Sequence, residues 1–254
     1  MPEGPPPPPV TQRLRVRYAK RGRLRFTSHR DFQRALERAL RRISAPLAYS
    51  AGFNPHPKIS YANAAPTGAA SEAEYLELGL AERVEPAVLA LALDGALPEG
   101  LDVVEVVEAR TPNLVERLQA SVWRIELPGV DPARAAEALE VFLAAERVEV
   151  SRMMKAGLRT FDARAAVLQA ALDPGHVANS SEGVAQGDPA HCAILRLVVR
   201  HTTPAVRPDD VLAALRSQAL LVPPSPPRMT RLAQGPLDPT SGAVADPLAA
   251  DRAS

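Results

Sequence analysis

A change of hydrophobic period within the first fifty residues most constrains the fold of this chain. Leu14-Arg15-Val16-Arg17-Tyr18 alternates apolar and charged side chains with a period of two, which is typical of a half-buried β-strand. Ser28 then begins a segment with helical spacing of apolar residues, and Asp31 lies where a capping-box-like acid is expected. The segment therefore predicts a strand followed by a helix from His29 to about Ser44.

The alternation of strands and helices continues along the chain. The first helix is followed by a predicted strand, strand, helix and strand, and a similar order recurs from Ser121 to Ala233. Two βαββαβ units predict an α+β fold with two tandem ferredoxin-like domains, in which helices back antiparallel sheets. The predicted divisions are a disordered Pro-rich tail (1–12), a first domain with a basic face (13–110), a second domain (119–233) with a flexible loop (173–190), and a disordered tail (234–254).

Three short segments complete the predicted pattern. Leu24-Arg25-Phe26 is interpreted as a brief return to strand, and residues 47–50 as a short strand before a loop. The stretch from Phe161 to Leu172 is interpreted as one strand.

Positive charge is concentrated at the start of this predicted fold. Residues 13–42 hold twelve Lys or Arg and two acids, a net charge of +10, whereas the whole chain has a net charge of +1. Such a local field attracts polyanions even when the average charge is near neutral. Helical spacing gives one outward face to four of the arginines. The predicted RNA or anion contacts are Arg15, Arg17, Arg25, Arg30, Arg34, Arg38, Arg41 and Lys58.

An alternative explanation of the basic stripe is a solvated helix face that pairs with acids elsewhere, such as Glu72, Glu74 and Glu77. Like charges four residues apart on a helix repel each other by a few tenths of a kcal/mol. A stripe of four arginines therefore needs a compensating partner, and both an anionic ligand and acidic side chains remain open as that partner.

A loop from Tyr49 to Lys58 follows the first helix. Its glycine and two prolines exclude a helix and restrict the backbone. Its polar and aromatic side chains predict either a structural role or the recognition of a ligand. The candidate motif residues are Tyr49, Ser50, Gly52, Phe53, Asn54 and His56. His29 and His56 are also candidates for metal-independent acid–base catalysis.

The second domain contains a smaller basic group at a predicted hairpin. Lys155, Arg159 and Arg164 would extend a phosphate-binding track, or would form an ordinary basic hairpin tip.

Cysteine and hydropathy patterns exclude several classes of protein. The one cysteine, Cys192, cannot form an internal disulfide or ligate an iron–sulfur cluster alone. No metal site is expected, because neither a cysteine nor a close carboxylate–histidine pair accompanies the histidines. No apolar run reaches the 18 residues of a membrane helix, and the Pro-rich start is unlike a signal peptide. We therefore expect a cytoplasmic protein that does not bind membranes.

Three motifs of the first domain belong together, namely Gly22-Arg23-Leu24-Arg25-Phe26-Thr27-Ser28-His29-Arg30-Asp31-Phe32, Glu37-Arg38-Ala39-Leu40-Arg41-Arg42 and Tyr49-Ser50-Ala51-Gly52-Phe53-Asn54-Pro55-His56-Pro57-Lys58-Ile59-Ser60. They resemble a known family, the radical-SAM-associated domain of unknown function. The resemblance is specific from Arg13 to Leu80. It implies a radical SAM partner that carries an iron–sulfur cluster and S-adenosylmethionine. This chain lacks a Cys-x3-Cys-x2-Cys motif, so no cofactor is expected in the chain itself.

The charge and the resemblance together predict an accessory, non-catalytic module for RNA modification. It would bind tRNA or rRNA through its basic face and work with the radical SAM partner. Two alternatives stay open. One is a metal-independent ribonuclease that uses His29 or His56, and the other is a docking domain for an acidic protein.

Overall fold

A computed structural model describes residues 8–155, 157–173 and 192–252. The chain divides into two compact units, one made of Met1–Leu118 with Asp246–Ser254 and the other of Gln119–Ala245. Each unit combines an antiparallel sheet with helices, so the fold is mixed α/β. The predicted flexible loop at 173–190 lies outside the described residues except for Asp173.

The first unit is built around four antiparallel strands. Its elements are β1 (Gln12–Lys20), α1 (His29–Arg42), β2 (Ile59–Ala62), β3 (Ala70–Leu80), α2 (Pro86–Ala96), β4 (Leu101–Glu108) and the short α3 (Leu114–Arg117). The strands are arranged in the order β4-β1-β3-β2. In this register Val16 of β1 lies opposite Leu76 of β3 and Val106 of β4.

One face of this sheet forms the core with both long helices. Leu14, Val16 and Tyr18 cluster with residues of α1 and α2. Tyr18 stacks on Phe32 of α1 with ring centroids 4.4 Å apart. Because side chains alternate along a strand, the arginines between these core residues must point to the opposite face of the sheet.

The second unit also has a four-stranded antiparallel sheet. Its elements are β5 (Ala120–Pro128), α4 (Pro132–Ala144), β6 (Glu149–Met154), β7 (Gly157–Asp162), β8 (Val167–Leu172), β9 (Cys192–Arg200), α5 (Pro208–Ala219) and β10 (Arg228–Gly235). The strand order is β10-β5-β9-β8, and β6 pairs with β7 in a separate two-stranded sheet. Asp131 caps α4 by accepting a hydrogen bond from the Ala133 N–H, as its sequence position predicts.

Two short predicted strands are wrong, and a third, longer predicted strand is interrupted. Gly22–Phe26 forms a 3-10 helix, and residues 47–50 make only isolated bridges. The stretch from Phe161 to Leu172 is broken by a 3-10 turn at Arg164–Ala166. The Asp162 carboxylate accepts from the Val148 and Arg164 N–H groups, so this side chain stabilises the break.

Both predicted tails are ordered over their described parts. Thr11 donates its backbone N–H to Leu80, and Gln12 is buried, so order begins before residue 13. At the other end, residues 246–252 end in the short helix α6 (Ala249–Arg252), and the side chains of Leu248 and Asp251 are buried. The prediction of a disordered tail is therefore wrong over residues 234–252, whose stabilising contacts come from distant parts of the sequence.

Candidate nucleic-acid interface

Helix α1 presents the basic stripe that the sequence predicts. The Ser28 hydroxyl accepts a hydrogen bond from the Asp31 N–H at 3.2 Å and so caps the first turn. The buried face of α1 consists of Phe32, Leu36, Ala39 and Leu40. At 100° per residue, the arginines at positions 30, 34, 38 and 41 fall within one arc opposite that face. The packing of the apolar side therefore fixes which way the arginines point.

The four arginines of this stripe are exposed and poorly compensated. Arg30, Arg34, Arg38 and Arg41 all lie on the solvent side of the helix. Within the described part of the chain, the stripe makes a single ion pair, in which Arg34 lies 3.8 Å from Asp31 and both side chains are more than half exposed. An exposed pair of this length contributes little. The α1 stripe, defined as these four arginines, therefore keeps most of its positive field.

Arg15 and Arg17 of β1 do not extend the α1 stripe, and the expectation that they share its surface is wrong. The side chain of Arg15 is 1% exposed and pairs with Glu77 and Asp251. Arg17 is half-buried and donates to the backbone oxygen of Glu72 at 3.0 Å. Both lie on the sheet face that points away from α1, because Leu14, Val16 and Tyr18 occupy the helix-facing side.

Arg25 and Lys58 flank the α1 stripe in sequence. Arg25 is half-buried in the 3-10 helix before α1, and its guanidinium carbon lies 4.6 Å from the centroid of the Phe26 ring. Lys58 is exposed, and its backbone N–H donates to Ala48. Both residues stay predicted anion contacts, Arg25 just before α1 and Lys58 at the end of the loop that follows the helix.

The loop from Tyr49 to Lys58 is a closed, exposed turn. The Ser50 N–H donates to the His56 carbonyl at 2.9 Å, and the His56 N–H donates to the Ser50 hydroxyl at 3.0 Å. Gly52 has φ +121°, a conformation that favours glycine. Phe53 at the tip is 84% exposed, and Asn54 is exposed beside it. The backbone is fixed by its own hydrogen bonds, which leaves the side chains of the tip available to a ligand.

His29 and His56 are not brought together. His29 lies at the start of α1, where its Nε2 is 3.2 Å from the Gln33 amide, and its ring packs edge-on to Tyr61 at 5.1 Å. The backbone of His56 bonds to Ser50 in the loop. No hydrogen bond or ring contact joins the two histidines in the described structure, so the geometry does not support a two-histidine catalytic pair.

Tyr61 of β2 is a polar residue that the sequence analysis did not single out. Its buried hydroxyl has no hydrogen-bond partner among the residues that the structure describes, and its ring packs against His29 and Phe32. Burial, followed by the nearby Glu37 carboxylate, raises the pKa of Tyr61 above its ordinary value. In the sequence, Tyr61 is one residue of a short predicted strand. Nothing in that strand predicts that its ring contacts His29 and Phe32.

The predicted basic hairpin of the second unit is basic only at its tip. Lys155 and Arg159 are exposed. Arg164 instead donates to the carbonyls of Leu143 and Val167 and lies 5.8 Å from the centroid of the Phe142 ring. Its predicted anion-binding role is therefore wrong, because its guanidinium is already used to hold the base of the hairpin.

The residues that the structure describes contain no cluster of three or more His, Cys, Asp and Glu side chains arranged to hold a metal. Cys192 begins β9 and is partly exposed rather than fully packed. In the same described ranges, no helix combines the length and apolar character needed to cross a membrane.

One known protein family matches most of this chain. Residues 13–208 match the family described as "Uncharacterized protein conserved in bacteria (DUF2344)". The match covers most of the chain, which therefore belongs to this family. No curated protein matches the chain.

Proposed function

We propose that this protein is an accessory module that binds RNA through the α1 stripe. One observation carries the proposal, namely that four exposed arginines share one helix face with a single weak ion pair among the described residues. Arginine presents a planar set of donors that matches phosphate oxygens. Repulsion between these arginines would be relieved by a polyanion that spans the helix.

The loop from Tyr49 to Lys58 supports RNA over other polyanions. Phe53 and His56 are exposed on a backbone that is fixed by hydrogen bonds. Exposed rings stack on unpaired bases in many proteins that bind single-stranded RNA. The proposed ligand is therefore an unpaired segment of tRNA or rRNA.

The proposed architecture is a tandem of ferredoxin-like domains. Each unit contains four main antiparallel strands, and numbering them within the unit gives the order 4-1-3-2 in both cases. The order of elements fits a βαββαβ arrangement, with the β6–β7 hairpin as an addition to the second unit.

The proposed partner is a radical SAM protein that carries its own iron–sulfur cluster and S-adenosylmethionine and modifies the RNA in the cytoplasm. This part of the proposal is supported by the sequence motifs alone. A pull-down with the purified chain as bait would test it. Recovery of a protein with a Cys-x3-Cys-x2-Cys motif and a reconstituted cluster is the expected result, and its absence under conditions that retain RNA would contradict the partnership.

RNA binding is tested by a charge reversal on the stripe. Wild-type protein should bind tRNA with a log–log salt slope of about −2.8 if four arginines contact four phosphates of an unpaired strand. Replacing Arg34, Arg38 and Arg41 by Glu should abolish binding while the circular dichroism spectrum and unfolding transition are retained.

The matched control reverses three exposed arginines of the second unit, Arg196, Arg200 and Arg216, and makes the same change of net charge. This control should retain most of the affinity. Equal loss in both variants would mean that net charge alone attracts RNA. Unchanged affinity of the stripe variant would overturn the proposal, and salt-sensitive binding to an acidic protein without RNA binding would replace it by a docking role.

A further inference from the structure

The side chain of Asp251 fills a preformed set of hydrogen-bond donors in the first unit. Its Oδ1 accepts from the Arg110 N–H at 3.1 Å, the Thr111 N–H at 3.0 Å and the Thr111 hydroxyl at 2.7 Å. Its Oδ2 accepts from the guanidinium groups of Arg15 at 2.6 Å and Arg117 at 2.9 Å. We call Arg15, the Arg110 N–H, Thr111 and Arg117 the anion cradle.

The anion cradle, together with the neighbouring Arg13 and Glu77, carries more positive charge than one carboxylate neutralises. Arg15 and Arg117 contact Asp251 directly, and Arg13 lies nearby through its ion pair with Glu77. Without Asp251, the three arginines and Glu77 have a formal net charge of +2. A phosphate monoester carries close to two negative charges at neutral pH, and its oxygens accept the same kinds of hydrogen bond.

The cradle lies beside an open cleft of about 360 Å³. The lining residues are mostly polar, namely Arg13, Arg15, Glu77, Ala109, Thr111, Pro112 and Asn113. Arg15 and Thr111 belong both to the cleft and to the cradle, so a molecule in the cleft would place a terminal group against the donors that now bind Asp251. The cleft therefore provides room for the rest of a ligand.

The cradle and its occupant come from different parts of the chain. Arg15, Thr111 and Arg117 lie within the family match at residues 13–208, whereas Asp251 lies outside it. The segment 246–252 is anchored by the buried Pro247 and Leu248, by Asp251 itself and by Arg252, which pairs with Glu105 of β4. It contributes no strand to the sheet over the described ranges, so displacement of Asp251 would leave the strand pairing of the first unit intact.

We infer that the anion cradle is a binding site for a phosphate-bearing ligand and that Asp251 is its intramolecular competitor. The phosphoryl group takes the place of the Asp251 carboxylate, and the remainder of the ligand occupies the cleft. In this structure the site is closed by segment 246–252. The inference does not depend on RNA binding by α1, because the cradle lies on the opposite face of the sheet.

The experiment compares wild-type and Asp251→Ala protein as full-length chains. Inorganic phosphate is titrated at constant ionic strength against chloride, with ³¹P line broadening and thermal unfolding as readouts. An internal competitor lowers apparent affinity by the fraction of time that it occupies the site, so Asp251→Ala should bind phosphate at least about tenfold more tightly than wild type. Adding Arg117→Ala to Asp251→Ala should remove the gain.

Glu99→Ala is the matched control, because Glu99 is an exposed acid of the same unit outside the cradle. Its affinity for phosphate should equal that of wild type. If Asp251→Ala does not fold in chloride, Asp251→Asn takes its place in the titration. Equal phosphate affinity in wild type, Glu99→Ala and the Asp251 variant would overturn the inference.

Two further ligands identify the source of the phosphate. Ribose 5-phosphate tests a small ester, and a short RNA with and without a 5′-phosphate tests an RNA end. Tighter binding of the phosphorylated RNA alone would assign the site to RNA ends, and tighter binding of the small ester would assign it to a metabolite. Charge reversal of Arg34, Arg38 and Arg41 should leave phosphate binding by Asp251→Ala unchanged, which separates this site from the α1 stripe.

Discussion

The arginines of β1 and those of α1 belong to one basic segment of sequence but lie in opposite environments. Arg15 of β1 is almost completely buried and bonds to Glu77, Thr111 and Asp251. Arg38 of α1 is exposed. Because a strand alternates its side chains and the helices cover one face, the same run of charge is divided between the two sides of a sheet.

The origin of the partners explains this difference. Asp251 lies 236 residues from Arg15 in the chain, and Thr111 lies 96 residues from it. Among the described residues, the acid that pairs with the α1 stripe is Asp31, which lies three residues from Arg34. A high local density of positive charge in the sequence therefore does not by itself predict a binding surface. The tertiary positions of distant acids must also be known.

The strongest test of the contrast between β1 and α1 replaces one arginine in each element. Arg15→Ala should lower the free energy of unfolding by about 3–5 kcal/mol, because it removes a buried guanidinium that pairs with both Glu77 and the buried Asp251. Arg38→Ala should change it by no more than about 0.5 kcal/mol. Urea unfolding of both variants measures the difference. Equal effects would mean that burial of Arg15 contributes no more than an exposed arginine does.

Acid should destabilise the protein by protonating Asp251, the carboxylate that pairs with Arg15 of β1. Burial opposes ionisation of Asp251, but hydrogen bonds from Thr111, Arg15 and Arg117 outweigh it and hold the pKa of Asp251 below its ordinary value of 3.8. A depressed folded-state pKa stabilises the fold above the unfolded-state pKa, and this stabilisation is lost as pH falls below about 4. Thermal unfolding from pH 6 to pH 2 measures it.

The control for the acid prediction is Asp251→Asn, which should be less stable at pH 6 and lose less stability on acidification. Parallel pH curves for wild type and Asp251→Asn would show that other carboxylates cause the acid sensitivity.

A smaller effect is expected at the start of α1. Ser28→Ala removes the hydroxyl that accepts from the Asp31 N–H and should cost about 1 kcal/mol of unfolding free energy. Thr27→Ala, one residue earlier, is the comparison and should stay within about 0.5 kcal/mol. If the two variants are equally stable, the Ser28 cap does not determine where the helix begins.

The smallest predicted effect concerns repulsion within the α1 stripe. Arg34 and Arg38 are four residues apart on one helix face, so Arg38→Ala should stabilise the protein by about 0.2–0.5 kcal/mol at low salt. Screening should remove most of this gain at 1 M salt. Chemical unfolding at two salt concentrations measures it. Destabilisation at low salt would indicate that Arg38 makes a favourable packing contact.

Much of the local structure could be predicted from the sequence. The period of two in β1 correctly placed Leu14, Val16 and Tyr18 in the core. Ser28 correctly marked the start of α1, because capping depends only on residues within one turn.

The environment of each charged residue could not be predicted in the same way. The alternation in β1 already implied that Arg15 and Arg17 point away from α1, but the density of charge favoured a single surface. The partners that bury Arg15 come from residues 77, 111 and 251, and no local pattern connects those positions. Tyr61 was missed for the same reason, because its contacts with His29 and Phe32 are tertiary.

The bond between Arg15 and Asp251 can form only late in translation, because the two residues lie far apart in the sequence. A ribosome that adds 5–20 residues per second needs roughly 12–47 s to cover the 236 residues between them. Throughout that interval, the guanidinium of Arg15 in the nascent first unit lacks the Asp251 carboxylate that later pairs with it. The first 118 residues therefore emerge as an incomplete unit, which becomes complete only after the second unit has been synthesised.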